Sequence, residues 1–265
     1  MFKFFIYLFN LTLKCHREQV LDRASGLTFR VLLAFFPFIV FLMSLMGFLN
    51  LDDAAIMSEL YHHLPQDISE LVSRFVTELS ETRSTGLLSA ALFFSVYNTT
   101  NGFRAIMRCV NIAYDTRDER SFPVQVLISF LLMILFTIAL VVMLTLLIFG
   151  RQVWAYLFPY GGDWLITTAG GAGAVVVLII TTTLIYRLAC AKRQRLKYVL
   201  PGAIFTVLAW VATSSAFGFV TQNFTQYPAI YGSIAGVFIL ILWLNAMSVI
   251  LLVGNEVNVS LGDYY

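Results

Sequence analysis

Long apolar stretches empty of Asp, Glu, Lys and Arg set the pattern of this chain. Five are long enough to cross a bilayer as helices: Val31–Leu51, Ser84–Phe103, Ser121–Gly150, Trp164–Tyr186 and Tyr198–Asn255. A hydrocarbon core of about 30 Å takes roughly 20 residues at about 1.5 Å each. The last stretch holds 58 residues, too many for one helix. The polar segment from Gln222 to Pro228, which ends in a helix breaker, divides it. Pro201 suits the first turn of the helix that follows residue 198. The pattern predicts an all-α, polytopic membrane protein with six transmembrane helices at about 28–50, 86–107, 124–149, 165–187, 199–221 and 231–256, in a single integral membrane domain over 1–265.

Two amphipathic pieces accompany these spans. Residues 1–25 open with the apolar run 1–13, too short to span and interrupted by Lys3. No small-residue cleavage site follows it, and Leu13-Lys14 precedes Cys15 where a lipoprotein would carry small residues. An interfacial helix lying on the membrane is the expectation. In the loop 52–85, Ile68, Leu71, Val72, Phe75, Val76 and Leu79 recur at helical spacing, and Asp67 with Glu70 resembles a capping box. That loop reads as an amphipathic helical cap on the outer side.

Composition removes the soluble alternatives. Hydrophobic residues make up 59% and charged residues 12%, against about 45–50% and 25% in ordinary soluble domains. The mean hydropathy is +0.83, and 24 Phe with 12 Tyr exclude a disordered chain. The net charge of +2 carries information only when it is divided. Lys3, Lys14, Arg17, Arg23 and Arg30 precede the first span, Arg104, Arg108, Arg117 and Arg120 follow the second, and Arg187, Lys192, Arg193, Arg195 and Lys197 follow the fourth. The opposite side holds only Arg74, Arg83 and Arg151. The positive-inside rule puts the rich side, and with it both termini, in the cytoplasm. Cys15, Cys109 and Cys190 all fall on that side, which argues against a disulfide framework.

Four stretches then line up with a known family. They are Leu27 to Pro37, Tyr97 to Asn101 leading to Arg108 and the basic segment Asp115–Arg120, Ile230 to Ser233, and Gly254-Asn255-Glu256-Val257-Asn258. In order and spacing the chain resembles the YihY/BrkB family (virulence factor BrkB-like) of multi-pass bacterial inner-membrane proteins, labelled as permeases and, mistakenly, as a ribonuclease. Asn255 stands where that family commonly has Ala. The resemblance implies a six-helix permease-like protein.

The ribonuclease label finds no residues to carry it. Metal-dependent ribonucleases need clustered His and Asp ligands, whereas this chain has His16, His62 and His63, the first expected across the membrane from the other two. No phosphate-binding loop or nucleophile elbow occurs. The sequence predicts no enzyme, no catalytic residue, no metal site and no cofactor.

Polar groups inside spans are the candidate functional residues, because lipid makes them costly. Asn98, Thr99, Thr100 and Asn101 form a polar stretch in the second span, serving either as hydrogen-bonding glue between helices or as a cavity lining. Glu256 closes the last span with no nearby base in sequence. Arg104 or Arg108 is its expected partner, and solvation at the interface is the alternative. Asn245 reads as a packing hydrogen bond, and Asn258 belongs to the closing signature. Thr181, Thr182 and Thr183 should bond back to their own helix. Pro37 should kink the first helix. Gly232, Gly236 and Gly254, with the small face Ala209, Ala212 and Ala216, mark close helix approach.

Two functions fit. The first is a transporter or flippase for a small amphiphilic or anionic substrate, lipids included. The second is a non-transporting envelope scaffold or lipid-binding protein, partnered by membrane lipids. Neither involves nucleic acid, and both leave the oligomeric state open.

Overall fold

A computed structural model describes residues 12–48, 85–157, 163–192, 194–223 and 233–262. Residues 1–11, positions 52–84 of the cap expected over 52–85, and Gly232 lie outside them. Six long helices carry the fold: α1 Val20–Phe48, α2 Thr85–Ala113, α3 Phe122–Leu157, α4 Asp163–Ala189, α5 Leu196–Asn223 and α6 Ser233–Gly262. A short helical turn at 12–17 precedes α1, and all regular structure among the described residues is helical.

The apolar runs locate these helices correctly and misplace their ends. Every helix reaches past its charge-free window, because helical hydrogen bonding continues through residues that only lipid would reject. Thus α1 begins at Val20 and carries Asp22 and Arg23 in its first turn, and α6 runs on beyond Glu256 to Gly262. Pro123 occupies the first turn of α3, where a missing N–H costs nothing. Pro201, expected in such a turn, instead lies within α5. Next to it, the Gly202 N–H is donated to the Asn258 Oδ1 of α6 at 2.7 Å. α1 runs through Pro37 as one helix.

Each helix packs on its neighbour in sequence, and α6 returns to pack on α1, so the six close into a ring. α2 also touches α4 and α6. Among the described residues four helices hold stretches long and apolar enough to cross a membrane: Phe122–Leu146, Gly171–Ala189, Leu196–Val220 and Gly236–Leu261. α2 differs because Asn98, Asn101, Arg104, Arg108 and Asn111 interrupt it. Large apolar side chains face outward, among them Leu127, Leu131 and Ile138 of α3 and Leu208 and Phe219 of α5. That inside-out surface is the one a membrane protein presents to lipid.

A close helix approach joins α5 to α6. A methyl group on Gly254 would strike Thr206 Oγ1 and come within 2.9 Å of the Gly202 carbonyl oxygen, and one on Gly202 would strike the Gly254 carbonyl oxygen. Small residues let backbones meet this way. Of the small face proposed on α5, Ala212 and Ala216 instead face outward. The Tyr186 hydroxyl of α4 donates to the Leu251 carbonyl of α6 at 2.6 Å and lies 2.8 Å from Thr206 Oγ1, tying three helices at that crossing.

Candidate functional site

The α2 C-terminus, α4 C-terminus, α5 N-terminus, α6 C-terminus and the segment before α1 meet at one end of the bundle. Two arrangements of charge form there.

The first is buried. Glu256 is 1% exposed, and its Oε2 lies 3.6 Å from Lys14 Nζ in the 12–17 turn. Glu18 N–H donates to the Lys14 carbonyl and Gln19 N–H to the His16 carbonyl, closing the turn, and Gln19 takes a left-handed φ of 50° before α1 starts. This reversal folds the segment against the bundle, where Cys15 packs on the main core. Burial raises the Cys15 thiol pKa, and the neighbouring Glu256 charge adds to that.

Glu256 therefore does not pair with Arg104 or Arg108. Successive residues on a helix are about 100° apart. α6 turns Asn255 toward α2, its Nδ2 donating to the Val110 carbonyl at 3.4 Å, and so presents Glu256 to the N-terminal turn instead. Asn258 faces α5 through Gly202. Asn255, Glu256 and Asn258 are all buried, and Asn255 Oδ1 and Asn258 Nδ2 find no hydrogen-bond partner among the described residues.

The second arrangement is an open cavity of about 300 Å³ lined by Arg104, Arg108, Asn111, Arg117, Asp118 and Gln125, among others. Its floor is fixed by caps on the end of α4. Asn111 donates through Nδ2 to the Ala189 carbonyl at 3.0 Å and accepts from the Ala191 N–H at 2.6 Å. Arg120 donates to the carbonyls of Leu188 and Ala189 at 3.3 and 2.9 Å. These are the carbonyls that a helix end leaves without partners. Arg120 also clasps Asp118 through Nε at 2.7 Å and Nη2 at 2.9 Å. Burial tends to raise the Asp118 pKa, but hydrogen bonds from Arg120 and its charge outweigh that and hold the carboxyl below its usual value.

Arg104 is half-buried, with its guanidinium 4.6 Å from the centre of the Phe122 ring and Nη1 donating to Asn101 Oδ1 at 3.4 Å. Arg108 and Arg117 are exposed at the cavity rim.

Most of the remaining expected residues bond within their own helix or to a neighbouring one. Asn98 donates to the Phe94 carbonyl of its own helix at 2.9 Å. Thr99 and Thr100 are buried, and Thr100 Oγ1 reaches Met133 Sδ of α3 at 4.0 Å. Asn245 Nδ2 donates to Thr28 Oγ1 at 3.3 Å, joining α6 to α1. Thr181 and Thr183 bond back to carbonyls four residues earlier. Gly236 is half-buried. Sequence reasoning missed Lys14, Asn111 and Gly202, whose partners are set by tertiary contacts and carry no local signal.

Comparison with known proteins follows the same lines. A profile described as virulence factor BrkB matches residues 12–265. The ribonuclease-like protein YfkH of Bacillus subtilis is 30% identical over 91% of this chain and 89% of its own length. A UPF0761 membrane protein of Xanthomonas campestris is 31% identical over 39% of this chain, and one of Alteromonas mediterranea is 34% identical over 31%. Those alignments span 24% and 28% of the two longer proteins. No solved structure matches the chain. With four membrane-length apolar helices and a family profile that runs through the buried Gly254–Asn258 signature, the chain belongs to the virulence factor BrkB family and is a membrane protein.

Proposed function

We propose that the protein is a six-span transporter or flippase of the bacterial inner membrane, with both termini cytoplasmic, that moves a small amphiphilic or anionic substrate, lipids included. The observation that carries this reading is Glu256, buried to 1% on a membrane-length helix and neutralised by Lys14 of a peripheral turn. A buried charge on a spanning helix is costly to keep and is by default functional. A pair formed between a spanning helix and a peripheral segment can also be broken without unfolding the bundle. The packing of α1 and α2 in the closed ring with the four apolar helices supports a count of six spans. Fourteen basic residues on one side of that arrangement support cytoplasmic termini. The reading gives the protein no enzymatic activity, no cofactor and no nucleic-acid partner.

Reconstitution into liposomes tests it. Lipid scrambling and efflux of labelled anions should exceed empty vesicles, and Glu256→Gln should reduce the flux severalfold while the protein still inserts. Flux equal to empty vesicles across both assays would favour the non-transporting, lipid-binding scaffold.

A further inference from the structure

The cavity beside α2 has an unusual charge inventory. Asp118, the acid among its lining residues, is already engaged by Arg120. Arg104, Arg108 and Arg117 form no ion pair with a carboxylate among the described residues, and Arg104 Nε is buried without a hydrogen-bond partner. Three permanently charged guanidinium groups thus converge on one space of about 300 Å³. Arginine forks match phosphate oxygens, and a buried donor such as Arg104 Nε is costly to leave without a partner.

The surroundings say how such a phosphate would arrive. Phe122, on which Arg104 rests, is 64% exposed. On α2, Tyr97, Phe94 and Phe93 present exposed aromatic rings. Ile112, Arg108, Arg104, Asn101, Tyr97 and Phe93 follow at intervals of three or four residues, so these rings share the helix face of the cavity's arginines and make a continuous track beginning at the cavity. A soluble phosphate would have no use for that track, whereas acyl chains would cover it.

We propose that this cavity is a headgroup site for an anionic phospholipid, its phosphate held by Arg104, Arg108 and Arg117 and its chains lying along the outer face of α2. The site stands on the cavity alone and does not require transport.

Lipid retention by the purified full-length protein, read by native mass spectrometry with phosphatidylglycerol and phosphatidylcholine of identical chains, tests it. The wild type should retain phosphatidylglycerol about tenfold over phosphatidylcholine, a difference of about 1.4 kcal/mol. Arg108→Gln/Arg117→Gln changes only exposed residues, so folding is kept, and should bring that ratio close to one. Arg187→Gln/Lys192→Gln removes the same charge from the same end outside the cavity and should leave the ratio high. Equal retention by the wild type, an unchanged ratio in the cavity variant, or equal losses in both variants would overturn the site. Full displacement of phosphatidylglycerol by millimolar inorganic phosphate would overturn the lipid assignment in favour of a soluble anion. The readout involves no flux, so its failure is distinct from a failure of transport.

Discussion

Glu256 meets Lys14 at 3.6 Å, across a junction between the end of α6 and a turn that precedes α1 by only a few residues. Lys14 keeps 19% of its side-chain surface exposed while Glu256 keeps 1%. The acid therefore bears the larger desolvation cost, and the base is the member that can leave.

This asymmetry predicts unequal single variants. Lys14→Met strands a buried carboxylate and should destabilise the protein by about 3 kcal/mol, the range for breaking a buried pair. Lys14→Met with Glu256→Met removes both charges and should recover most of that loss. Thermal unfolding of the wild type, Lys14→Met, Glu256→Met and the double variant in one detergent checks the cycle, and additive losses would mean that the two residues are not coupled.

The Gly202–Gly254 crossing predicts opposite signs for two glycine substitutions. Gly254→Ala puts a methyl group against Thr206 Oγ1 and the Gly202 backbone. Backbone cannot yield as a flexible side chain can, so a loss of about 1–3 kcal/mol is expected from overpacking. A Cβ on Gly171 meets nothing within 4 Å. Gly171→Ala should be neutral or slightly stabilising, by up to about 1 kcal/mol from helix propensity. Melting temperatures of both variants, measured side by side, should move apart.

Which of these features the sequence reveals depends on how local their cause is. Apolar runs locate the six helices because lipid-facing surface must be apolar along its whole length. Their ends are less legible, since Asp22 and Arg23 in α1 and Asn258 in α6 continue a helix past the window that composition defines. Glu256 stands out as an isolated acid. Its partner does not, because Lys14 sits in a stretch whose apolarity reads as a surface-lying helix, and only the reversal at Gln19 folds it back. Gly202, hidden behind Pro201, looks like part of a helix start until α6 is packed against it.

The pH dependence of the α2–α3 connection follows from Asp118. Burial alone would raise its pKa, and the Arg120 hydrogen bonds and charge turn the net shift downward. A carboxyl lowered in the folded state stabilises that state above the unfolded pKa, and the contribution fades as pH falls through the lowered folded value. Asp118→Asn should therefore melt below the wild type at pH 7 and still at pH 5. The gap should close only in stronger acid, below the ordinary carboxylate range of about 4. A gap that had already closed at pH 5 would contradict the clasp.

The end of α2 offers the reverse case, a position where the native residue is not the best one. Asp115 takes a left-handed φ of 48°. Its N–H donates to the Ile112 carbonyl at 2.9 Å, and the Thr116 N–H donates to the Asn111 carbonyl at 3.0 Å. That double bond pattern is the Schellman cap, which favours glycine because a Cβ is strained in this conformation. Asp115→Gly keeps both hydrogen bonds and removes the strain, at the expense of a freer unfolded chain. The side chain is exposed, so little else is lost. A gain of up to about 1 kcal/mol is expected, whereas Asp115→Val, branched at Cβ, should lose at least as much. Because Asn111 caps α4 from the same turn, hydrogen exchange of the Ala191 amide should slow in the glycine variant and quicken in the valine variant, a difference that a purely local change at Asp115 would not produce.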